Sequence, residues 1–179
     1  MSPVAQAAEQ MELAAPARAR LESRMNPHQA VQALLAGGDT QDALKLLARL
    51  LPKRYAVAWA CQCARDLLLP IEDKAGAALA EQWVREPEET HRRAAFEFAN
   101  AGGYRTIGAW LAASAGWSGG SLAPASQQTP VPPEEHLTAC AVVAAVNLMA
   151  GLEPERFEQR RGEFMARAMS LLGAGAQAN

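Results

Sequence analysis

The stretch LTACAVVAAVNLMAGL, from Leu137 to Leu152, holds sixteen consecutive residues without a charge. Leu137, Ala141, Val142, Val143, Val146, Leu148 and Met149 leave no polar stripe at helical spacing, so the segment reads as a helix that is apolar nearly all round. A helix of that kind belongs inside a protein. Its length is short for a membrane span and it contains Asn147, which favours a buried central helix over membrane insertion. Such a helix needs others to cover it, and the rest of the chain supplies them.

Working outward, Pro133-Glu134-Glu135 opens this helix and Gly151 ends it. Glu153-Pro154-Glu155 then starts an amphipathic helix through Phe157, Phe164, Met165, Met169 and Leu172. Upstream, Asn26-Pro27 is a helix-start signal and Gly37-Gly38 a stop. Asp39 or Thr40 caps a second helix with Ala43, Leu44, Leu46, Leu47, Leu50 and Leu51 on its apolar stripe. Pro52 opens a third, which ends before Pro70. A fourth runs from Ile71 to Arg85, with Ala75, Ala78, Leu79, Trp83 and Val84 facing inward, and a fifth from Pro87-Glu88-Glu89 to Gly102-Gly103. Tyr104 to Ala115 forms a sixth. No segment alternates with a two-residue period, so no sheet is expected.

The expected fold is therefore all-α: about eight helices in a compact bundle or a short array of helical hairpins. Residues 1–25, alanine-rich with Pro3 and Pro16, read as a mobile N-terminal arm. Residues 26–173 read as a single helical domain, and 174–179 as a frayed tail. Half of the 179 residues are hydrophobic but only 6% are aromatic, a balance that suits close helix packing better than a β-sandwich. The net charge is −2, with no basic stripe to track phosphates, so nucleic acid is not an expected partner. Three cysteines argue against a disulfide framework, and the first residues lack the basic and apolar regions of a signal peptide. The expected location is cytoplasmic.

Between the sixth and seventh helices lies a long glycine- and proline-rich connection: Gly116-Trp117-Ser118-Gly119-Gly120-Ser121-Leu122-Ala123-Pro124, running on to Pro130-Val131-Pro132-Pro133. Structureless connections of this length are uncommon in compact domains and often functional when ordered. A proline-rich segment is partly pre-extended and loses less entropy on docking. The candidate binding surface is Trp117, Ser118, Gly119, Gly120, Ser121, Leu122, Pro124, Val131 and Pro132. Trp117 either pins the connection to the body or projects with it. A strap over the apolar helix is the competing role for the connection.

Catalytic patterns find little support. Gly116-Trp117-Ser118-Gly119-Gly120 matches G-x-S-x-G, but the nucleophile elbow needs a strand before the serine, and here a helix precedes it. Cys61 and Cys63 sit two apart, about 200° around a helix, so they cannot face one ion. His136 and Cys140 share a helix face but lack further ligands. His91 with Glu88, Arg92 and Arg93 reads as ordinary helix-start chemistry. No cofactor, metal or catalytic residue is expected. The alternative is a small enzyme or ligand-binding protein with a cleft beneath the connection, using His91, Glu88, Ser118 or His136.

At Ala56-Val57-Ala58-Trp59-Ala60-Cys61 and again at Trp117 to Pro124, the chain resembles an uncharacterised family of small bacterial all-helical proteins. The resemblance covers most of the chain after about residue 26. It implies a link to gene neighbourhoods of bacterial protein secretion, including type VI systems, and carries over no catalytic residue. Together these readings give a non-enzymatic interaction module, an adaptor, chaperone or accessory protein with a protein partner.

Overall fold

A computed structural model describes residues 1–175, and among these there are ten α-helices and no strand. They are α1 (Pro3–Gln10), α2 (Ala15–Ala19), α3 (Pro27–Ala36), α4 (Thr40–Leu50), α5 (Lys53–Arg65), α6 (Ile71–Arg85), α7 (Glu89–Ala101), α8 (Ile107–Gly116), α9 (Leu137–Ala150) and α10 (Phe157–Gly175). A 3₁₀ turn, Pro154–Arg156, leads into α10.

Local chemistry places the helix ends. Asn26 and Gln29 form a reciprocal capping box at α3: the Asn26 side chain accepts from the Gln29 amide at 2.8 Å, and Gln29 accepts from the Asn26 amide at 3.0 Å. Thr106 caps α8 by accepting from the Ala109 amide at 3.1 Å. That helix begins later than its sequence suggests. Gly103 and Tyr104 both adopt the left-handed region, with φ of 64° and 57°, so the chain reverses there instead of starting a helix at Tyr104. Asp39 stands at the N-cap of α4 without capping it, because its carboxylate accepts from Arg20 at 2.6 Å.

Two apolar helices sit at the centre. α9 is buried as its composition requires, flanked by α4, α5, α8 and α10. The second is α8, whose residues IGAWLAASAG are nearly all buried; it packs against α5, α6, α7 and α9. Its alanines and glycines let the neighbouring backbones come close. Gly108 faces α6 so tightly that a Cβ would sit 2.6 Å from the Cα of Asp73, and a Cβ on Gly76 would land on the Gly108 carbonyl. The buried Asp73 carboxylate accepts from the Gly108 amide at 2.8 Å. Between α8 and α9, the Thr138 hydroxyl donates to the Ser114 carbonyl at 2.9 Å. No single helix among the described residues is long and apolar enough to span a membrane.

The N-terminal segment departs from the arm its sequence suggests. α1, α2 and the turn between them bury Val4, Ala7, Ala8, Met11, Leu13 and Ala17 in the common core, with α1 against α4. Val4, Ala7, Ala8 and Met11 follow the i, i+3, i+4, i+7 spacing of one helix face, a signal that the alanines made faint. Ser2 caps α1, and Arg49 donates to Gln10 at 2.7 Å. At the other end α10 continues to Gly175, past the expected helix end at Gly173; residues 176–179 of the expected tail lie outside the described residues. Trp83 faces the core as expected and Trp59 is fully buried, whereas Trp110 is only half-buried, and Ala75 and Ala78, expected to face inward, are exposed because α6 turns Gly76 and Ala80 to its neighbours instead. The Trp59 indole donates to the Phe164 carbonyl at 2.8 Å.

The α6–α8 crossing yields a paired prediction for unfolding by denaturant. Gly76→Ala forces two backbones apart and should cost about 3 kcal/mol. Gly162→Ala, on the exposed face of α10 with open space around it, should instead raise stability by about 0.5–1 kcal/mol.

Candidate interaction surface

The connection from Trp117 to Pro133 is ordered by three cations reaching for its carbonyls. Arg92, on α7, is only 3% exposed. Its guanidinium donates to the Gly116 carbonyl at 2.6 Å and the Ser121 carbonyl at 3.4 Å, while Glu89 accepts two bonds at 2.6 and 2.7 Å. Its neighbour Arg93 donates to the Ala123 carbonyl at 2.9 Å. Lys53, opening α5, donates to the Ser118 carbonyl at 3.1 Å and pairs with Glu135 at 3.2 Å. The two ends of the connection are thus tied to one ammonium. Bonds between cations and backbone oxygens are stronger than neutral ones.

The glycines make room for this arrangement. Gly120 has φ of 64°, and a Cβ there would run into the Arg92 guanidinium. A Cβ on Gly116 would come 2.6 Å from the Cα of Phe96. Beyond them the chain closes a loop on itself. The Leu122 amide donates to the Val131 carbonyl at 2.7 Å, and the Ser121 hydroxyl accepts from the amides of Val131 at 2.9 Å and Ala123 at 3.1 Å. The result is an Ω-shaped loop with a narrow neck. Ala123 is buried at the neck and Leu122 half-buried; Pro124 to Pro132 are exposed, Val131 by 46%.

Trp117 is held at the root of the loop. Its ring lies 5.4 Å from that of Tyr104 and 5.9 Å from that of Trp110, and these two are 5.7 Å apart, all centroid to centroid. The spacing is that of rings in mutual contact. Trp110 on α8 and Trp117 at the helix's C-cap are seven apart, about two turns, and the left-handed turn at Tyr104 brings the third ring to them. All three remain half-buried. Of the expected surface residues, Trp117, Ser118, Gly119, Ser121 and Leu122 form the half-buried base, and Gly120, Pro124, Val131 and Pro132 its exposed part.

The groups suggested for a cleft beneath the connection point elsewhere. The Ser118 hydroxyl donates to the Ala115 carbonyl at 2.6 Å, the ordinary bond of a serine at a helix end. His136 faces Glu134 at 3.6 Å. Its helix neighbour Cys140 shares a hollow of about 360 Å³ with it, but that hollow lies between α1, α4 and α9, beside Glu12 and Lys45. Nδ1 of His91 lies 2.8 Å from the Glu86 carbonyl, which can only accept, so this nitrogen carries the proton. Glu86, Glu88 and His91 bring one potential ligand atom each within 4.8 Å of one another at the start of α7, a grouping that the reading of His91 as helix-start chemistry passed over. Cys61 and Cys63 are both buried, and burial pushes their thiols up to about 12, far from a reactive thiolate at neutral pH.

Two outcomes test the clamp. Arg92→Ala strands the Gly116 and Ser121 carbonyls and should lower stability by about 2–3 kcal/mol, with faster proteolysis of the loop. The hydrogen bond from Arg92 holds the Glu89 carboxyl below the usual glutamate range. A depressed carboxyl contributes stability above its unfolded pKa and loses it as pH falls through the folded value. Acid titration of the wild type below the ordinary glutamate range should therefore loosen the loop, and Glu89→Gln should remove that pH dependence.

No curated protein and no solved structure matches this chain. A family model described as "Family of unknown function (DUF6931)" matches residues 30–172, which run from within α3 to within α10 and take in the whole clamped loop. The chain belongs to that uncharacterised family.

Proposed function

We propose that the chain is a non-enzymatic protein–protein interaction module, an adaptor, chaperone or accessory protein of the bacterial cytoplasm that serves a secretion machine of the type VI kind. One observation carries the reading: a proline-bearing loop whose neck is fixed by Arg92, Arg93, Lys53 and Ser121 while its outer residues, Pro124 to Pro132, stand in solvent. Clamping removes loop-ordering entropy before any partner arrives, so more of the contact energy remains as affinity. Prolines extend the same economy along the exposed segment. The half-buried Trp117, Trp110 and Tyr104 flank the loop with the residue types that dominate binding hot spots.

The contrast with an enzyme supports the same reading. Ser118, His91 and His136 each satisfy a different local partner, and among the described residues no hydrogen bond links any two of them. The secretion link rests on the resemblance at Ala56 to Cys61 and Trp117 to Pro124.

Affinity capture from the native bacterium, read by mass spectrometry, checks this proposal. The wild type should recover a defined protein partner belonging to a secretion assembly. Val131→Asp, which changes an exposed side chain but no loop hydrogen bond, should weaken that interaction by about tenfold or more with an unchanged melting temperature. Recovery of the same partner by Val131→Asp would move the contact off the loop, and a wild type that recovers nothing specific would contradict the adaptor reading.

A further inference from the structure

Arg161, on α10, is a charge taken out of water with no acid to meet it. The residue is only 9% exposed. It makes no ion pair among the described residues. Its one hydrogen bond runs from Nη1 to Oε1 of Gln41, a neutral partner, at 3.2 Å, and the Phe157 ring lies 4.7 Å from the guanidinium carbon. Nε is buried without an acceptor. Oδ1 of Asn147, on α9, is a second buried side-chain atom left without a partner. Asn147 donates through Nδ2 to the same Gln41 oxygen, again at 3.2 Å, so both side chains converge on one point and their unused atoms share one neighbourhood. That shared oxygen also fixes which way Asn147 faces, since it can only accept. Buried charges are normally paired and buried polar atoms bonded, because losing water uncompensated is costly. At the junction of α4, α9 and α10, a charge, a donor and an acceptor all go unmet.

The carboxylates on the surrounding elements are engaged elsewhere or stand in solvent. Asp39 accepts from Arg20 at 2.6 Å, Asp42 meets Lys45 at 3.9 Å, and Glu153 meets Arg156 and Arg160 at 3.4 and 3.1 Å. Glu155 and Glu158 are exposed and make no ion pair among the described residues. With Asp39 turned to Arg20, α4 has no side-chain cap, so its first turn adds the positive end of a helix beside Gln41. The guanidinium lies just beneath the surface, because Gln41 is exposed and Asn147 half-buried. Nε and Nη2 form the edge of an arginine that grips two oxygens of one anion, and here that edge is free. The group that completes the junction must therefore bring charged oxygens for Arg161 and a donor for Asn147. An ionised carboxylate only accepts. Hydrogen phosphate carries charged oxygens and a hydroxyl together.

We propose that this junction is a binding site for a hydrogen phosphate group. Nε and Nη2 of Arg161 donate to its charged oxygens, and its hydroxyl donates to Oδ1 of Asn147. The site lies outside the clamped loop and does not rest on that loop's role.

NMR titration of the full chain with inorganic phosphate, near neutral pH and at constant ionic strength, reads the outcome. Phosphate should move the Arg161 Nε–H signal and the amides of Thr40, Gln41 and Asp42 saturably, with a Kd of about 1 mM or tighter. Sulfate, which has charged oxygens but no hydroxyl at this pH, should bind about tenfold or more weakly. Gln41→Glu places a carboxylate of the chain itself against Arg161. It should raise the melting temperature and weaken phosphate binding by about tenfold or more, with circular dichroism unaltered because the position is exposed. O-phosphoserine separates the sources of the group: affinity at or above that of inorganic phosphate supports a phosphate carried on a protein, and affinity well below it supports the free ion. A phosphate response no larger than that of chloride would overturn the proposal and leave water as the partner of the two buried atoms. Equal affinity for sulfate, or undiminished phosphate binding by folded Gln41→Glu, would overturn it as well.

Discussion

The close crossing of α6 and α8 at Gly76 and Gly108 is the constraint on which the rest of the molecule depends. A helix of small residues has little apolar area per residue to bury, so it contributes through proximity: neighbouring backbones come near enough for many weak contacts. Asp73 adds a carboxylate bond to the Gly108 amide across the same contact. With α8 enclosed, α7 lies against it closely enough that Gly116 meets the backbone of Phe96. That proximity carries Arg92 to the end of α8, where it finds the loop carbonyls. The order of the loop is thus inherited from the packing of glycines and alanines in the core.

The same dependence divides the connection into a neck bonded to the body and an exposed outer arc, the part on which the proposed interaction would fall. Its neck, with buried Ala123 and carbonyls bonded to cations, is continuous with the body. Its outer arc makes few contacts, and its prolines restrict the backbone without help from the rest of the protein. A buried arginine that divides its bonds between one carboxylate and two main-chain oxygens is an expensive device if the loop needs only to be somewhere. It is a reasonable one if the loop must hold a particular shape, which is why the clamp is the strongest support for an interaction surface.

Much of the fold was legible in the residues. The charge-free run at Leu137 to Leu152 announced the central helix, and Asn26-Pro27, Gly37-Gly38, Pro52, Pro70 and Gly151 punctuate the helices near where they begin and end. The N-terminal helices were obscured because alanine serves equally in a core and on a solvated helix, so Ala7, Ala8 and Ala17 gave no contrast between faces. The later start of α8 is not visible at Tyr104 because that residue takes a left-handed conformation that glycine ordinarily fills. The loop drew attention through its glycines and prolines. Its clamp did not, since Arg92 and Arg93 look like any cations on a helix until tertiary packing brings their side chains to carbonyls 24 to 30 residues away.

Amide hydrogen exchange by NMR at Leu122, Ala123 and Val131 tests the central claim most directly, that the loop is preorganised by the core. All three amides donate to partners within the neck. If the clamp holds the neck in the free protein, they exchange slowly, while the amides of Ala125 and Ser126 in the outer arc exchange freely. Exchange at the neck as fast as in the arc would contradict preorganisation and would mean that the loop takes its shape only when something binds it.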